Sequence, residues 1–127
     1  GMVNGWIHSP LIVAIERGHL GVMRFLIQNG ADVNANNSYA LHVACLYGDF
    51  ETVRLLVDMG ANVNASEGLP NERLEPLSVA SMLGYLEMVR FLIEKGANVD
   101  ASDGHALKLA RANRNWEVVD LLVQHRS

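Results

Sequence analysis

Only one cysteine, Cys45, occurs in this chain, which excludes an intramolecular disulfide and fits a reducing compartment. No apolar run approaches the roughly 18 residues that a membrane span requires. The N-terminal GMVNGWIHSP has no basic stretch leading into a hydrophobic one, so neither a membrane protein nor a secreted one is expected. Positive charge is also in short supply, with ten Lys and Arg against 14 Asp and Glu and a formal net charge of -4. Nucleic acid and anionic membrane surfaces are therefore not expected as partners. The expectation is a soluble intracellular protein, cytoplasmic rather than nuclear. Without export, the triplets Asn36-Asn37-Ser38 and Asn64-Ala65-Ser66 read as chance matches to a glycosylation signal. Gly1 ahead of Met2 reads as the remnant of a cleaved tag.

The signatures of catalysis are missing too. There is no phosphate-cradling glycine loop, no HExxH helix and no cysteine pair at metal spacing. The histidines are scattered at 8, 19, 42, 105 and 125, and the carboxylates show no cluster set apart from neighbouring bases. No metal, cofactor or intrinsic catalysis is expected.

What the chain has is self-similarity. The phrase GDFETVRLLVDMGANVNA at Gly48 to Ala65 returns as GHLGVMRFLIQNGADVNA at Gly18 to Ala35 and as GYLEMVRFLIEKGANVDA at Gly84 to Ala101, with a shortened copy from Arg114 to Ser127. Each copy holds one helix whose apolar residues cover most of its circumference. The polar stripe that remains is Gly21, Arg24, Gln28 in the first copy, then Glu51, Arg54, Asp58, then Glu87, Arg90, Glu94, then Glu117, Asp120, Gln124. The spacing i, i+3, i+7 puts each set on one side of a helix, where its ion pairs contribute a few tenths of a kcal/mol each. A helix dry on every side but one is sandwiched between neighbours, as stacked repeats would provide.

A shorter helix precedes each phrase. In the first repeat Ser9 is an N-cap, Pro10 fits the first helical position, Leu11, Ala14 and Ile15 face the core, and Gly18 ends the helix in the left-handed region. Gly30, Gly60 and Gly96 close the second helices and lead into an extended Ala-Asx-Val-Asx segment. In the last repeat Arg114 replaces the glycine. Either it takes the left-handed conformation at about 1 kcal/mol, or the helix stops at Asn113, which tolerates that region.

These residues resemble the ankyrin repeat. Its opening Thr-Pro-Leu-His is echoed by Ser9-Pro10-Leu11-Ile12, Tyr39-Ala40-Leu41-His42, Glu75-Pro76-Leu77-Ser78 and His105-Ala106-Leu107-Lys108, and its Gly-Ala-Asp-Val-Asn-Ala ending is intact at Gly30 to Ala35. The resemblance covers residues 9–125 and implies an all-α fold, a solenoid of stacked helix-turn-helix repeats joined by β-turn or hairpin fingers. One domain, 2–127, is expected, with repeats near 5–35, 36–65, 66–101 and 102–127. Residues 2–8, with Trp6 and Ile7, would cover one end. Residues 102–127 would cap the other, unless the array continues. Against the family's ~33-residue period, Leu11, Leu41, Leu77 and Leu107 are spaced by 30, 36 and 30. The fingers at Asn36 to Tyr39 and Ser102 to His105 are therefore short, and Ser66 to Glu75 is long. Leu69 on the long finger either reaches a partner or belongs to a tolerated insertion.

The resemblance also implies a function: binding another protein along the concave face lined by the first helix of each repeat and the fingers. The positions just before the first helix's glycine point there. They are Glu16 and Arg17, Leu46 and Tyr47, Met82 and Leu83, Ala112 and Asn113, so the expected site is apolar at Leu46, Tyr47, Met82 and Leu83 with polar ends at Arg17 and Asn113. Some of these side chains could instead lean into the core. Tyr39 and His105, at the finger bases, would extend the contact. His42 and Cys45, at i, i+3, could be read as base and nucleophile or as metal ligands. The resemblance favours a structural histidine and a small buried residue. The chain by itself is expected to be monomeric. Two other roles stay open: a structural or self-associating segment of a longer array, and a substrate for asparaginyl hydroxylation at Asn34 and Asn64.

Overall fold

The computed structural model describes residues 9–65 and 74–125. Eight helices and no paired strands make up the described residues, and they fall into two compact units, Gly1–Asn62 and Val63–Ser127. None of these helices is long and apolar enough to cross a membrane.

The first unit holds α1 (Pro10–Arg17), α2 (Leu20–Gln28), α3 (Ala35–Tyr47) and α4 (Phe50–Asp58). The Ser9 hydroxyl accepts the N–H of Ile12 at 3.3 Å and starts α1 ahead of Pro10. Leu11, Ile12, Ala14 and Ile15 are its buried face. Helix α4 starts in the same manner, the Asp49 carboxylate accepting the Thr52 N–H at 3.3 Å and the Thr52 hydroxyl at 2.6 Å. Gly18 and Gly48 stop α1 and α3 in the left-handed conformation, each at φ 70°. Helix α1 packs against α2 and α3, and α3 against α4. Met23, Leu41, Val53 and Leu56, all at 0% exposure, are the centre of this core.

The second unit holds α5 (Pro76–Leu83), α6 (Leu86–Glu94), α7 (Ala101–Ala112) and α8 (Trp116–Gln124). Its closest packing is α5 on α7, with α6 on α5 and α8 on both α7 and α6. Leu77, Val79, Val89, Leu92, Ala110 and Leu122 fill the core. Glu75, just before α5, is buried and accepts hydrogen bonds from the hydroxyls of Ser78 at 3.2 Å and Ser102 at 2.7 Å. A buried carboxylate is tolerable only with such donors.

At the two short junctions, where β-turn or hairpin fingers are expected, the chain runs straight from its turn into helix. Where the fingers are short the chain makes a turn of helix instead, so α3 begins at Ala35 and α7 at Ala101. The Ser38 N–H reaches the Asn34 carbonyl at 3.1 Å, and the Gly104 N–H reaches that of Asp100 at 3.3 Å. Three residues fewer leave no length for two extended arms, and a helical turn spans the gap while satisfying its own backbone groups. The equivalent residues Ser38 and Gly104 kink the chain at φ 58° and 75°. The tip of the long finger, residues 66–73, and the expected end cover, residues 2–8, lie outside the described residues.

Arg114 settles the alternative left open by the sequence. Asn113 stays at φ -99°, and Arg114 itself takes the left-handed conformation at φ 58°.

Candidate functional site

Each first helix ends on solvent. In the first unit Glu16 and Arg17 are exposed at the end of α1, and Leu46 and Tyr47, at the end of the adjacent α3, are 42% and 55% exposed. The rest of α3 has little such freedom, for Leu41, Ala44 and Cys45 are all at 0%. In the second unit Leu83 is 42% exposed at the end of α5, Met82 beside it is half-buried, and Ala112 and Asn113 are exposed at the end of α7. The Asn113 amide donates to the Leu109 carbonyl at 2.9 Å, which closes its own helix.

Tyr39 and His105 belong elsewhere. They are half-buried near the starts of α3 and α7, within helix rather than at the base of a finger. Eight residues of helix, about 12 Å, separate Tyr39 from Tyr47 along α3. The Tyr39 ring stacks on His42 with centroids 6.0 Å apart and planes at 27°. It also walls an apolar cavity of about 300 Å³, together with Pro10, Leu11, Leu26, Ala31 and Ala40, among the starts of α1 and α3 and the turn after α2. The first helices therefore carry two separate sets of candidates, one at each end.

Asn34 and Asn64 serve as ties between successive repeats. The Asn34 amide donates to the Gly60 carbonyl at 2.9 Å, and its oxygen accepts the Asn62 N–H at 2.8 Å and the Ser38 hydroxyl. In the second unit Asn64 does the same with Gly96 at 3.1 Å and Asn98 at 2.8 Å.

Cys45 is fully buried, and that burial pushes its thiol up to about 12. A thiol so poised carries almost no thiolate at neutral pH, so the pair His42 and Cys45 lacks a nucleophile. Among the described residues no group of three or more His, Cys, Asp or Glu gathers as a metal site would require. On the polar stripes Arg54 meets Glu51 at 3.7 Å and Arg90 meets Glu87 at 3.9 Å, with all four side chains well exposed, as in solvated helix-surface pairs.

Five large apolar residues outside the predicted set are also exposed: Val22 and Phe25 on α2, at 49% and 62%, Met59 after α4, at 36%, and Trp116 and Val123 on α8, at 58% and 48%. The sequence pattern expected these helices to be covered on both flanks.

Comparison with known families agrees with this architecture. A model of ankyrin repeats in three copies matches residues 2–67, and a single ankyrin-repeat model matches residues 75–104. The chain belongs to the ankyrin-repeat family, whose domains are non-catalytic protein-interaction modules. Over 52 residues it is 44% identical to the E3 ubiquitin-protein ligase XBAT33 of Arabidopsis thaliana and 42% identical to the probable E3 ubiquitin-protein ligase XBOS33 of Oryza sativa subsp. japonica. Either match takes in 39% of this chain and only 10% of the relative's length.

Proposed function

We propose that this chain captures a partner protein on the solvent-facing ends of its first helices and performs no chemistry of its own. Leu46 and Tyr47 in the first unit and Leu83 in the second supply the apolar contacts, with Met82 beside Leu83 and with Arg17 and Asn113 as polar contacts. The observation that carries the reading is the exposure of Leu46, Tyr47 and Leu83 at the last two positions of their helices, whose other large apolar residues are mostly buried. Tyr is enriched in interfaces because it covers a large area with few torsions to freeze. Rigid helix ends also lose little entropy when a partner arrives. The set at the other end, Tyr39 and His105, is a secondary contact in this reading.

The test is affinity capture on the wild-type chain beside the double variant Leu46→Ala, Tyr47→Ala and the single variant Leu83→Ala, each first shown to melt as the wild type does. Proteins held by the wild type and lost from both variants are the expected result. The same set held equally by all three would overturn the assignment.

A further inference from the structure

In the second unit the turn after α5 and the turn after α7 lie side by side, because the Asn115 amide donates to the carbonyls of Ser81 and Met82. A cavity of about 370 Å³ opens between them, walled by Gly84 and Leu86 on one side and by Arg114, Trp116 and Glu117 on the other. It is continuous in sequence with the proposed contact surface, since the exposed Leu83 ends α5 just before Gly84. Trp116, 58% exposed, and the half-buried Leu86 are its apolar side.

Arg114 is the unusual member of the wall. The other three repeats have Gly18, Gly48 and Gly84 at its place, at φ 70°, 70° and 79°, where glycine is unstrained. Arg114 holds φ 58° and bears the penalty of a left-handed residue with a Cβ. Strain of this kind collects where a side chain is used. The arginine is exposed and makes no ion pair among the described residues, although Glu117 stands three residues further on. The charge beside it has one sign. From Gly104 to Trp116 the chain carries Lys108, Arg111 and Arg114 and no acid, in a protein of formal net charge -4, and α5 (PLSVASML) carries no charge at all.

We propose that this cavity receives an aromatic side chain of the partner protein while Arg114 takes a carboxylate next to it, so that the segment bound here is both apolar and acidic. A planar guanidinium grips a carboxylate through two parallel N–H···O bonds, and Trp116 with Leu86 gives an aromatic ring an apolar wall. A nucleotide, its base on Trp116 and its phosphate on Arg114, is the competing occupant. Its higher negative charge is worse placed beside Glu117 on an acidic chain, which favours the peptide. The inference rests on the partner-binding reading and names the chemistry of the partner on the Leu83 side.

Titration with the capped peptide acetyl-Phe-Glu-Glu-amide, followed by the indole N–H resonance of Trp116, is the test. The acidic peptide should move that resonance saturably, and acetyl-Phe-Gln-Gln-amide should bind about tenfold more weakly. Arg114→Gly relieves a strained residue, so it should melt no lower than the wild type while binding both peptides at the weaker level. Glu117→Gln should tighten binding of the acidic peptide alone. No saturable shift at millimolar acidic peptide, equal affinity for the two peptides, a preference that survives Arg114→Gly, or tighter binding of thymidine monophosphate than of the acidic peptide would each overturn the inference. Any of these results beside capture that is lost in Leu46→Ala, Tyr47→Ala would overturn the acidic pocket and leave the partner-binding reading standing; equal capture by all variants with the peptide preference intact would do the reverse.

Discussion

A Cβ placed on Gly84 would lie 2.8 Å from Oδ1 of Asn115. Gly84 also holds φ at 79°, while the Asn115 amide donates to the Ser81 and Met82 carbonyls at 2.9 and 3.0 Å and so satisfies the end of α5. Gly84→Ala meets both obstacles, a left-handed alanine and a displaced amide. It should lower the unfolding free energy by about 2–3 kcal/mol, and Asn115→Ala by about 1 kcal/mol. Because both lose the same contact, the double variant should lose less than the sum. A urea denaturation cycle checks this; strict additivity would show that the two residues are not coupled.

Arg114 offers the reverse experiment. At φ 58° it carries the left-handed penalty, and its side chain makes no ion pair among the described residues. Arg114→Gly removes roughly 1 kcal/mol of strain and gives back part of it through the greater freedom of glycine in the unfolded chain. A net gain of about 0.5 kcal/mol is expected from the shift in urea midpoint; a loss would mean that the arginine side chain contributes more than its backbone costs.

Cys45 predicts a pH dependence of definite sign. Its thiol is raised by burial from 9.0 to about 12, so above pH 9 the unfolded chain releases a proton that the folded chain keeps. The contribution is fully present below pH 9 and is lost as pH climbs towards 12, at no more than about 1.4 kcal/mol per pH unit. The melting temperature should fall over that range, and less steeply in Cys45→Ala. At neutral pH a thiol-reactive disulfide reagent should label Cys45 only once denaturant has opened the fold.

Leu41 and Tyr47 lie on one helix and should behave oppositely. Leu41 is at 0% exposure, so Leu41→Ala opens a cavity and should cost about 2–5 kcal/mol. Tyr47, at 55%, should change stability by less than about 0.5 kcal/mol when replaced by alanine. Equal losses by chemical denaturation would move Tyr47 from the binding surface into the core.

The helices were legible in the sequence because their signals are local. Ser9-Pro10 fixes the start of α1, Gly18 and Gly48 fix the ends of α1 and α3, and the recurring apolar residues mark the second helices, in which Met23, Val53, Val89 and Val119 are buried. The short fingers were misread because the choice between an extended arm and a helical turn rests on chain length and on the neighbouring repeat, not on the residues Asn36 to Tyr39 themselves. The candidate site was legible in part. The family resemblance singled out Leu46, Tyr47 and Leu83, which are exposed, and grouped them with Tyr39, which lies at the other end of α3.

Asn34 and Asn64 both reach main-chain atoms of the repeat that follows, the carbonyl of a glycine and the N–H two residues beyond it. The main-chain part of such a tie is blind to side-chain identity. Any repeat that keeps the backbone course of that turn can be joined to any other, so duplication, exchange or replacement of a whole repeat leaves the fastening intact while the exposed residues at the helix ends diverge freely.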